Sequence, residues 1–560
     1  MTNLHKSVWP EGIPHHLDLP QHSLAQNLVD TAARDPDHIA TVFHGVTLTF
    51  RELNDRVEKL AGYLQNRAGL KKGDRVLLYM QNSPQYMIGY YAILRADAIV
   101  VPVNPMNRQD ELEYLAKDTG AKIALAGLEL LPSIQPLCES GKLDLVIAAA
   151  YADMADSTYD LPLPETLANL TDKNLTSTGI LPWSEAIAAG ETPGPITCGP
   201  NDLAVIPYSS GTTGQPKGCV HTHRSVMVTL IGGIVWRPPD EEDVSLANLP
   251  MFHVTGMQAV MNAPFYCGTT VIIMTRWNRE LAAELIKRYK VTRWTSITTM
   301  AIDLINDPKL DSYDLSSLTL IGGGGAAMPE AIATKLKELT GLDYIEGYGL
   351  SETLAATHIN PLTAPKKQCL GIPVFDVDAR ILSLEDDREL GPNEPGEIVM
   401  NAPQVFQGYW NNEAATKTAF TELDGKPFFR TGDIAYYDEN GYFFMVDRLK
   451  RMINASGFKV WPAEVEALMH NNPDIADVCI IGVTNPRRGE TVKAVIVPQS
   501  AAKDKLTEAA VIAWCKEHMA AYKCPTEVSF IGQLPKSGAG KVLWRELTER
   551  EAARTKTMKA

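Results

Sequence analysis

The chain has 560 residues, room for three to four folding units at roughly 150 residues each, or fewer if one is large. Hydrophobic residues make up 45% and charged residues 21%, which excludes long disorder and leaves material for a sizeable core. The 52 basic residues against 67 acidic give a net charge of -15, so the basic footprint of a general nucleic-acid binder is missing. No apolar run reaches the length of a membrane span: Arg95 and Asp97 interrupt the best stretch, Tyr86 to Val103. Peripheral membrane contact and a homodimer stay open. The first twenty residues carry histidines and prolines and no apolar h-region, so no signal peptide is expected. The 8 cysteines form no C-x-x-C, which predicts reduced thiols in a cytoplasm rather than disulfides or a zinc site.

From residue 24 to 128 helical and strand-like patterns alternate. Leu53, Val57, Leu60 and Leu64 share helical spacing. Arg75 to Tyr79 reads as a buried strand, Tyr86 to Leu94 as a helix, and Ile99 to Val103 as a second strand. Such alternation predicts a mainly parallel sheet covered by helices. From Tyr151 to Pro200 repeated prolines predict irregular connection. Strands return at Leu203 to Pro207, Thr270 to Met274 and Leu318 to Ile321. From Gly371 to Phe444 turn signals such as Gly391-Pro392 and Asn440-Gly441 predict a separate antiparallel unit. Beyond Asp447, a helix at Ala463 to His470, strands at Ala476 to Val483 and Val492 to Val497, and a helix capped by Thr507 predict a small α+β domain.

The strongest chemical signal is Tyr208-Ser-Ser-Gly-Thr-Thr-Gly-Gln-Pro-Lys-Gly218. Glycines let a backbone approach an anion, amides and hydroxyls donate to it, and the lysine adds a point charge. It is not a Walker A loop, because Pro216 stands where the second glycine is needed. Gly349-Leu-Ser-Glu-Thr353 is likewise no G-x-S-x-G nucleophile elbow, since Thr353 replaces the glycine.

This loop resembles the phosphate-binding loop of the adenylate-forming superfamily of acyl-CoA synthetases, peptide-synthetase adenylation domains and beetle luciferases. Four further motifs follow in that family's order: Gly347-Tyr-Gly-Leu-Ser-Glu-Thr353, Arg430-Thr-Gly-Asp433, Asp447-Arg-Leu-Lys450 and Pro535-Lys-Ser-Gly-Ala-Gly-Lys541. The resemblance implies an α/β fold. Its large N-terminal domain, 1–446, has mainly parallel layers and a small antiparallel β unit. A hinge at 447–450, turning on Lys450, leads to a mobile α+β domain, 451–560.

It also implies roles. Ser209, Ser210, Gly211, Thr212, Thr213, Gly214 and Lys217 hold phosphates. Thr212 and Glu352 hold Mg2+, a hard ion that suits oxygen ligands shared with phosphate. Gly325, Ala326 and Ala327 lie on the adenine side. Glu346, Gly347, Tyr348, Gly349 and Ser351 form the nucleotide strip, in which Tyr348 stacks on adenine. Asp433 takes the ribose hydroxyls, and Arg448 follows it at the hinge. Lys541 stabilises the charge that develops at the α-phosphate. Gly457 and Lys459, with Asn454 and Ser456, join the thiol-donor tunnel. His253 gates or orients the acid, and Val254, Gly256 and Met257 suit an aliphatic tail. His221 and His223 are expected to be structural.

The expected activity is ligation of a carboxylic acid to coenzyme A with ATP and Mg2+, through an acyl-AMP intermediate. A medium- or long-chain fatty acid is the favoured substrate. An aryl-acid ligase, a luciferase-type oxygenase and a catalytically silent nucleotide-binding module are the alternatives; no peptide-synthetase carrier segment is expected after Lys541. The chain departs from the family at Arg95-Ala-Asp-Ala98, where Lys-Ala-Gly-Ala is common, so a local turn must be built around Asp97 instead of glycine.

Overall fold

Two sheets of mostly parallel strands carry the N-terminal part of the chain. The structure, a computed structural model, describes residues 3–557 except 162, 173, 174, 176, 210–215, 241, 326, 456, 457, 486–488, 504 and 538–541; the side chains at 3, 450, 454, 458, 459, 485, 489 and 555–557 are also outside the description. Among the described residues, one sheet has seven strands in the spatial order His221–Thr222, Leu203–Val205, Ile99–Pro102, Arg75–Tyr79, Ile123–Gly127, Leu145–Ala149 and Ile180–Pro182. The other has nine, and its parallel centre runs from Tyr344–Leu350 through Leu320–Gly324, Arg293–Ser296, Val244–Ala247 and Thr270–Ile273 to Ile39–Phe43. Antiparallel strands close both of its edges.

The helices between strands bury the faces that the periodicity marks. Phe50–Asn66 starts at a capping box: Thr49 Oγ1 accepts the Glu52 N–H, and the Glu52 carboxylate accepts the Thr49 N–H at 2.9 Å. Leu53, Val57, Leu60 and Leu64 then turn inward. Pro84–Arg95 is buried around most of its circumference and packs between helix and sheet, which is why it reads as an unbroken apolar run.

Two expectations need correction. The stretch from Tyr151 to Pro200 is not all irregular connection. It supplies the edge strand Ile180–Pro182 and the short helices Glu165–Ala168 and Trp183–Ala188. Pro164 and Pro182 stand immediately before those helices, where a missing N–H is tolerated, so here the prolines punctuate regular elements. The strand expected at Leu318 to Ile321 runs instead over Leu320–Gly324, so Gly322, Gly323 and Gly324 form its end. A Cβ on Gly323 would lie 1.8 Å from the Ser296 carbonyl oxygen, so close strand approach requires glycine there.

Asp97 takes the left-handed conformation, φ 59°, that glycine would adopt without strain. Its carboxylate is put to use: it accepts the Thr197 N–H at 2.8 Å, the Thr197 hydroxyl at 2.6 Å and the Cys198 N–H at 3.1 Å. The turn thereby fastens the segment that leads into the strand Leu203–Val205.

Past residue 371 comes the antiparallel unit, built from Asp378–Leu382, Gly396–Asn401, Phe420–Leu423, Lys426–Tyr437 and Phe443–Arg448. The chain then makes one turn at Leu449–Arg451 and enters a separate sheet of Ile453–Ala455, Phe458–Val460, Ile475–Asn485, Gly489–Pro498 and Glu527–Phe530. Thr507 caps Glu508–His518 by accepting the Ala510 N–H at 3.2 Å.

Candidate active site

The base of the phosphate-loop motif is a short hairpin. Tyr208–Ser209 pairs antiparallel with Lys217–Gly218. The Tyr208 hydroxyl donates to Asp118 at 2.5 Å and the Tyr114 hydroxyl to the Pro216 carbonyl at 2.8 Å, which fixes the hairpin on the helix Gln109–Thr119. Ser210, Gly211, Thr212, Thr213 and Gly214 lie outside the described residues. Lys217 places its ammonium 4.9 Å from the centre of the Tyr409 ring, and the Tyr409 hydroxyl donates to Glu352 Oε1 at 2.9 Å. Tyr409 thus joins the loop's lysine to the glutamate of the second motif, although 57 residues separate Glu352 from Tyr409. Burial raises the Glu352 carboxyl above its ordinary pKa, while the Tyr409 hydrogen bond and the charge of Arg448 pull it back down.

No group of three His, Cys, Asp or Glu side chains converges to hold a metal among the described residues. A metal at Glu352 therefore fits only as an ion shared with substrate oxygens, the mode expected of Mg2+.

On the adenine side, Gly324 and Gly347 are register partners on neighbouring parallel strands. Gly325, Gly347, Tyr348 and Gly349 line the main cavity. Glu346 and Ser351 do not, nor does Ala327, and Ala326 is outside the described residues. Glu346 is instead a buried fastener. Its carboxylate accepts the Met328 N–H at 3.1 Å and the Gln368 N–H at 2.9 Å, and burial pushes its pKa up to about 8. Ser351 offers its carbonyl to the His221 ring at 2.7 Å. That supports a structural role for His221, whose pKa burial lowers to about 4. His223 accepts the Leu24 N–H at 3.1 Å and is equally structural.

Asp433 is almost fully enclosed. Its Oδ2 accepts the Tyr348 hydroxyl at 2.7 Å and its Oδ1 pairs with Arg448 at 3.0 Å. The carboxylate expected to take two ribose hydroxyls is already engaged on both oxygens, which leaves its remaining lone pairs for a ligand.

The cavity is open to solvent at its mouth. It runs from these glycine-rich strand ends past His253 into an apolar slot between the helix His223–Trp236 and the helical stretch 254–267. That stretch contains a π-helical turn at Gln258–Asn262, a feature frequent at functional sites. His253 caps the stretch, its ring nitrogen accepting the Thr255 N–H at 3.3 Å. The tail-lining expectation shifts by one residue and more. Thr255, Gln258 and Ala259 face the cavity, whereas Val254 and Met257 belong to the buried core. Gly256 is packed so close that a Cβ would sit 2.1 Å from the Pro250 carbonyl. The four-residue helix directs alternate side chains differently from an extended run, so proximity in sequence to His253 misassigned them.

At the hinge motif, the Asp447 carboxylate accepts the Ala463 N–H, in the first turn of Pro462–Met469, at 2.6 Å, and Arg451 pairs with Glu466 at 2.5 Å. The end of the antiparallel unit is thereby tied to the following sheet's first helix. Lys450 stands in the turn Leu449–Arg451, with its side chain outside the described set. Gly457, the Lys459 side chain and Lys541 are outside it too.

Sequence reasoning missed Tyr409 and Gln258. Gly408-Tyr409-Trp410 looks like an ordinary aromatic turn, and only the fold brings it to Glu352. Gln258 lies in a helix whose polar positions carry no local signature.

Against this geometry, the chain belongs to the AMP-binding enzyme family, whose profile matches residues 28–410; the profile of the AMP-binding enzyme C-terminal domain matches 464–541. It is 34% identical over 550 residues to the long-chain-fatty-acid–CoA ligase of Bacillus subtilis (strain 168), covering 97% of each chain. It is 32% identical over 521 residues to a feruloyl-CoA synthase of Amycolatopsis sp, covering 92% of this chain and 97% of that one. Among solved structures, ATP-bound MatB from Rhodopseudomonas palustris superposes with a TM-score of 0.83 at 26% identity, covering 95% and 99% of the two chains. An anthranilate CoA ligase with anthranoyl-AMP superposes at 0.84 with 23% identity, covering 96% and 98%, which shows the shared fold.

Proposed function

We propose that the chain is an ATP-dependent acid–thiol ligase that joins a fatty acid to coenzyme A. The observation that carries this reading is the continuous cavity described above. It is lined by the nucleotide-side strand ends, with Tyr348 and Gly349, by His253, and by apolar residues such as Val228, Ile234, Ala259 and Pro264. Membership of the AMP-binding family and the near-full-length likeness to long-chain-fatty-acid–CoA ligases support it.

In the first step a carboxylate oxygen of the acid bonds to the α-phosphorus of ATP and pyrophosphate leaves. In the second the thiolate of coenzyme A attacks the acyl carbonyl and AMP leaves. Splitting the ligation avoids expelling oxide from a carboxylate. Tyr348 and Asp433 orient the nucleoside, Lys217 and the loop 210–215 hold phosphates, His253 orients the acid, and Lys541 stabilises charge at the α-phosphate. A magnesium ion bound by Glu352 and Thr212 would neutralise phosphate charge.

Segments 1–446 and 451–560 act as two domains about the hinge 447–450, and Gly457 and Lys459 line the route of the thiol. Eight free cysteines suit a reducing cytoplasm. Pyrophosphate release tests the reading: it should require ATP, Mg2+ and a fatty or aryl acid, and acyl-CoA should form when coenzyme A is added. Production of ADP and phosphate would overturn it.

A further inference from the structure

The far wall of the cavity differs from its middle. The middle is apolar, walled by Val228, Ile234, Ala259, Ala263 and Pro264. Beyond them stand two arginines, Arg237 and Arg293, and no aspartate or glutamate lines any part of the cavity among the described residues.

Arg293 is fully committed to the protein. Its Nε donates to Asp243 at 2.5 Å, and its two terminal nitrogens donate to the Arg237 carbonyl at 3.0 Å and the Pro238 carbonyl at 2.5 Å. Gln258, another polar group on the wall, is satisfied by the Val226 carbonyl, Thr229 and Asn262. Arg237 is different. It ends the helix His223–Trp236, where its backbone N–H bonds to the Gly233 carbonyl at 3.1 Å. Its guanidinium has no ion pair and no hydrogen bond with any described residue. The charged group beside it is Arg293, which repels it, and the nearby hydroxyl of Tyr344 donates instead to the Ser296 carbonyl. Burial and Arg293 lower the Arg237 pKa to about 10, so the group keeps its charge at neutral pH. Five N–H donors on a half-buried cation that faces the cavity, with no carboxylate among the described residues to pair with it, are ready to answer an anionic ligand.

The strand register gives the depth. Arg293 pairs with Leu320, four residues before Gly324 on the strand whose end faces the nucleotide side. At roughly 3.3 Å per residue the two levels are about 13 Å apart. An acid that fills the cavity presents its reacting carboxylate near His253 and its far end near Arg237, with an apolar chain between.

We propose that Arg237 forms a distal subsite for a second carboxylate, so that the enzyme takes α,ω-dicarboxylic acids of medium chain length as substrates. This rests on the ligase reading above. Arg–carboxylate pairing in two parallel N–H···O bonds supplies both the attraction and the length selection.

The test is pyrophosphate release measured on matched pairs of methyl-ended monocarboxylic and α,ω-dicarboxylic acids, from the six-carbon to the sixteen-carbon chain, with wild type, Arg237→Met and Arg237→Lys. For the wild type, kcat/KM for the dicarboxylate should exceed that for the monocarboxylate by about tenfold or more at an intermediate length, the size of one buried charge-assisted interaction. Arg237→Met should reverse that preference, and Arg237→Lys should retain part of it. If the wild type turns over monocarboxylic acids and prefers a dicarboxylate at no length, the subsite is refuted while the ligase reading stands. An Arg237→Met variant with the wild-type ratio refutes it equally. If no acid of either kind releases pyrophosphate, the ligase reading falls and the subsite with it. Should Arg237→Met fail to fold, the wild-type comparison alone still decides.

Discussion

The Tyr348 hydroxyl donates to Asp433 Oδ2 at 2.7 Å inside an enclosed pocket, and Arg448 holds the other oxygen of the same carboxylate. The two residues come from different sheets, so this bond sets the position of the nucleotide strip against the antiparallel unit. Tyr348→Phe removes the donor and leaves a buried oxygen short of one partner, a loss of about 1–3 kcal/mol. Because the pair is organised before chemistry begins, the loss should appear as weaker nucleotide binding. KM for ATP should rise about tenfold, with kcat changed by less than about threefold. Steady-state kinetics with ATP varied checks it; a fall in kcat at constant KM would contradict the assignment.

Tyr409 should matter through Glu352. Tyr409→Phe keeps the ring beneath Lys217 but deletes the O–H bond to Glu352 Oε1. That bond steadies the carboxylate, so without it the Mg2+ concentration for half-maximal pyrophosphate release should rise about three- to tenfold, about 0.6–1.4 kcal/mol. Glu352→Gln should raise it further, because the charge itself is lost. A magnesium titration of the two variants and wild type tests this, and three superimposable curves would remove Glu352 from the metal's ligands.

Asp97 allows a stability prediction with two opposing parts. Asp97→Ala loses the three hydrogen bonds to Thr197 and Cys198 and keeps a non-glycine residue at φ 59°, so a cost of about 2–4 kcal/mol is expected. Asp97→Gly loses the same bonds but relieves the backbone, and should be more stable than the alanine variant by about 1–2 kcal/mol. Denaturant unfolding of the three proteins measures both differences. Equal stability of the two variants would mean the left-handed conformation carries no strain.

The departure at Asp97 shows what was legible in the sequence and why. A residue standing where glycine is common marks the unusual φ, but the partners that compensate it, Thr197 and Cys198, lie about a hundred residues away and leave no local trace. The same holds across the molecule. Periodic burial is a local property, so Leu53 to Leu64 and Arg75 to Tyr79 declare their elements directly. That Gly347, Tyr348 and Gly349 lie together on the cavity was legible because their motif sits at a strand end. Glu346 was misread as a ligand contact because its burial behind Met328 and Gln368 is a tertiary fact. Val254 and Met257 were misread because one helical turn sends neighbours to opposite faces, and Arg237 gave no signal because a lone arginine after a helix is usually solvated.

Buried histidines should set the acid limit of stability. Burial lowers the pKa of His5, His221 and His223 to about 4 and that of His358 to about 3. In the unfolded chain each titrates near 6.5. Below that pH the unfolded state binds more protons, so stability is lost progressively as pH falls from about 6.5 to about 4, on the order of 1–3 kcal/mol per histidine. Glu346 acts in the opposite sense. Its folded pKa of about 8 lies above the ordinary value, so its contribution is lost as pH rises from about 4.5 to 8. His44 and His470 are lowered as well, and Glu129, Glu352 and Asp447 are raised like Glu346; the histidines outnumber the carboxyls, which predicts a maximum near about pH 6.5 with the steeper limb on the acid side. Urea midpoints across pH 4 to 8 check the shape. His358→Leu, which removes a ring whose Nε2 has no partner, should make the acid limb shallower; an unchanged slope would show that His358 titrates normally.

Lys541 should separate the two half-reactions. The segment before it is anchored: Lys536 pairs with Asp477 at 3.2 Å and bridges in antiparallel fashion to Val542. Lys541 itself lies outside the described residues; a lysine charge helps most where negative charge develops during attack on the α-phosphorus. Lys541→Ala should therefore lower adenylation, read as acid-dependent pyrophosphate release, by about 10²- to 10³-fold. Acyl-CoA formation from supplied acyl-AMP should stay within about threefold of wild type, because thiolate attack on the carbonyl places no new charge at that phosphate. The two rates are measured separately on the same preparation. Equal losses in both would show that Lys541 supports the fold of the C-terminal segment instead of the first transition state.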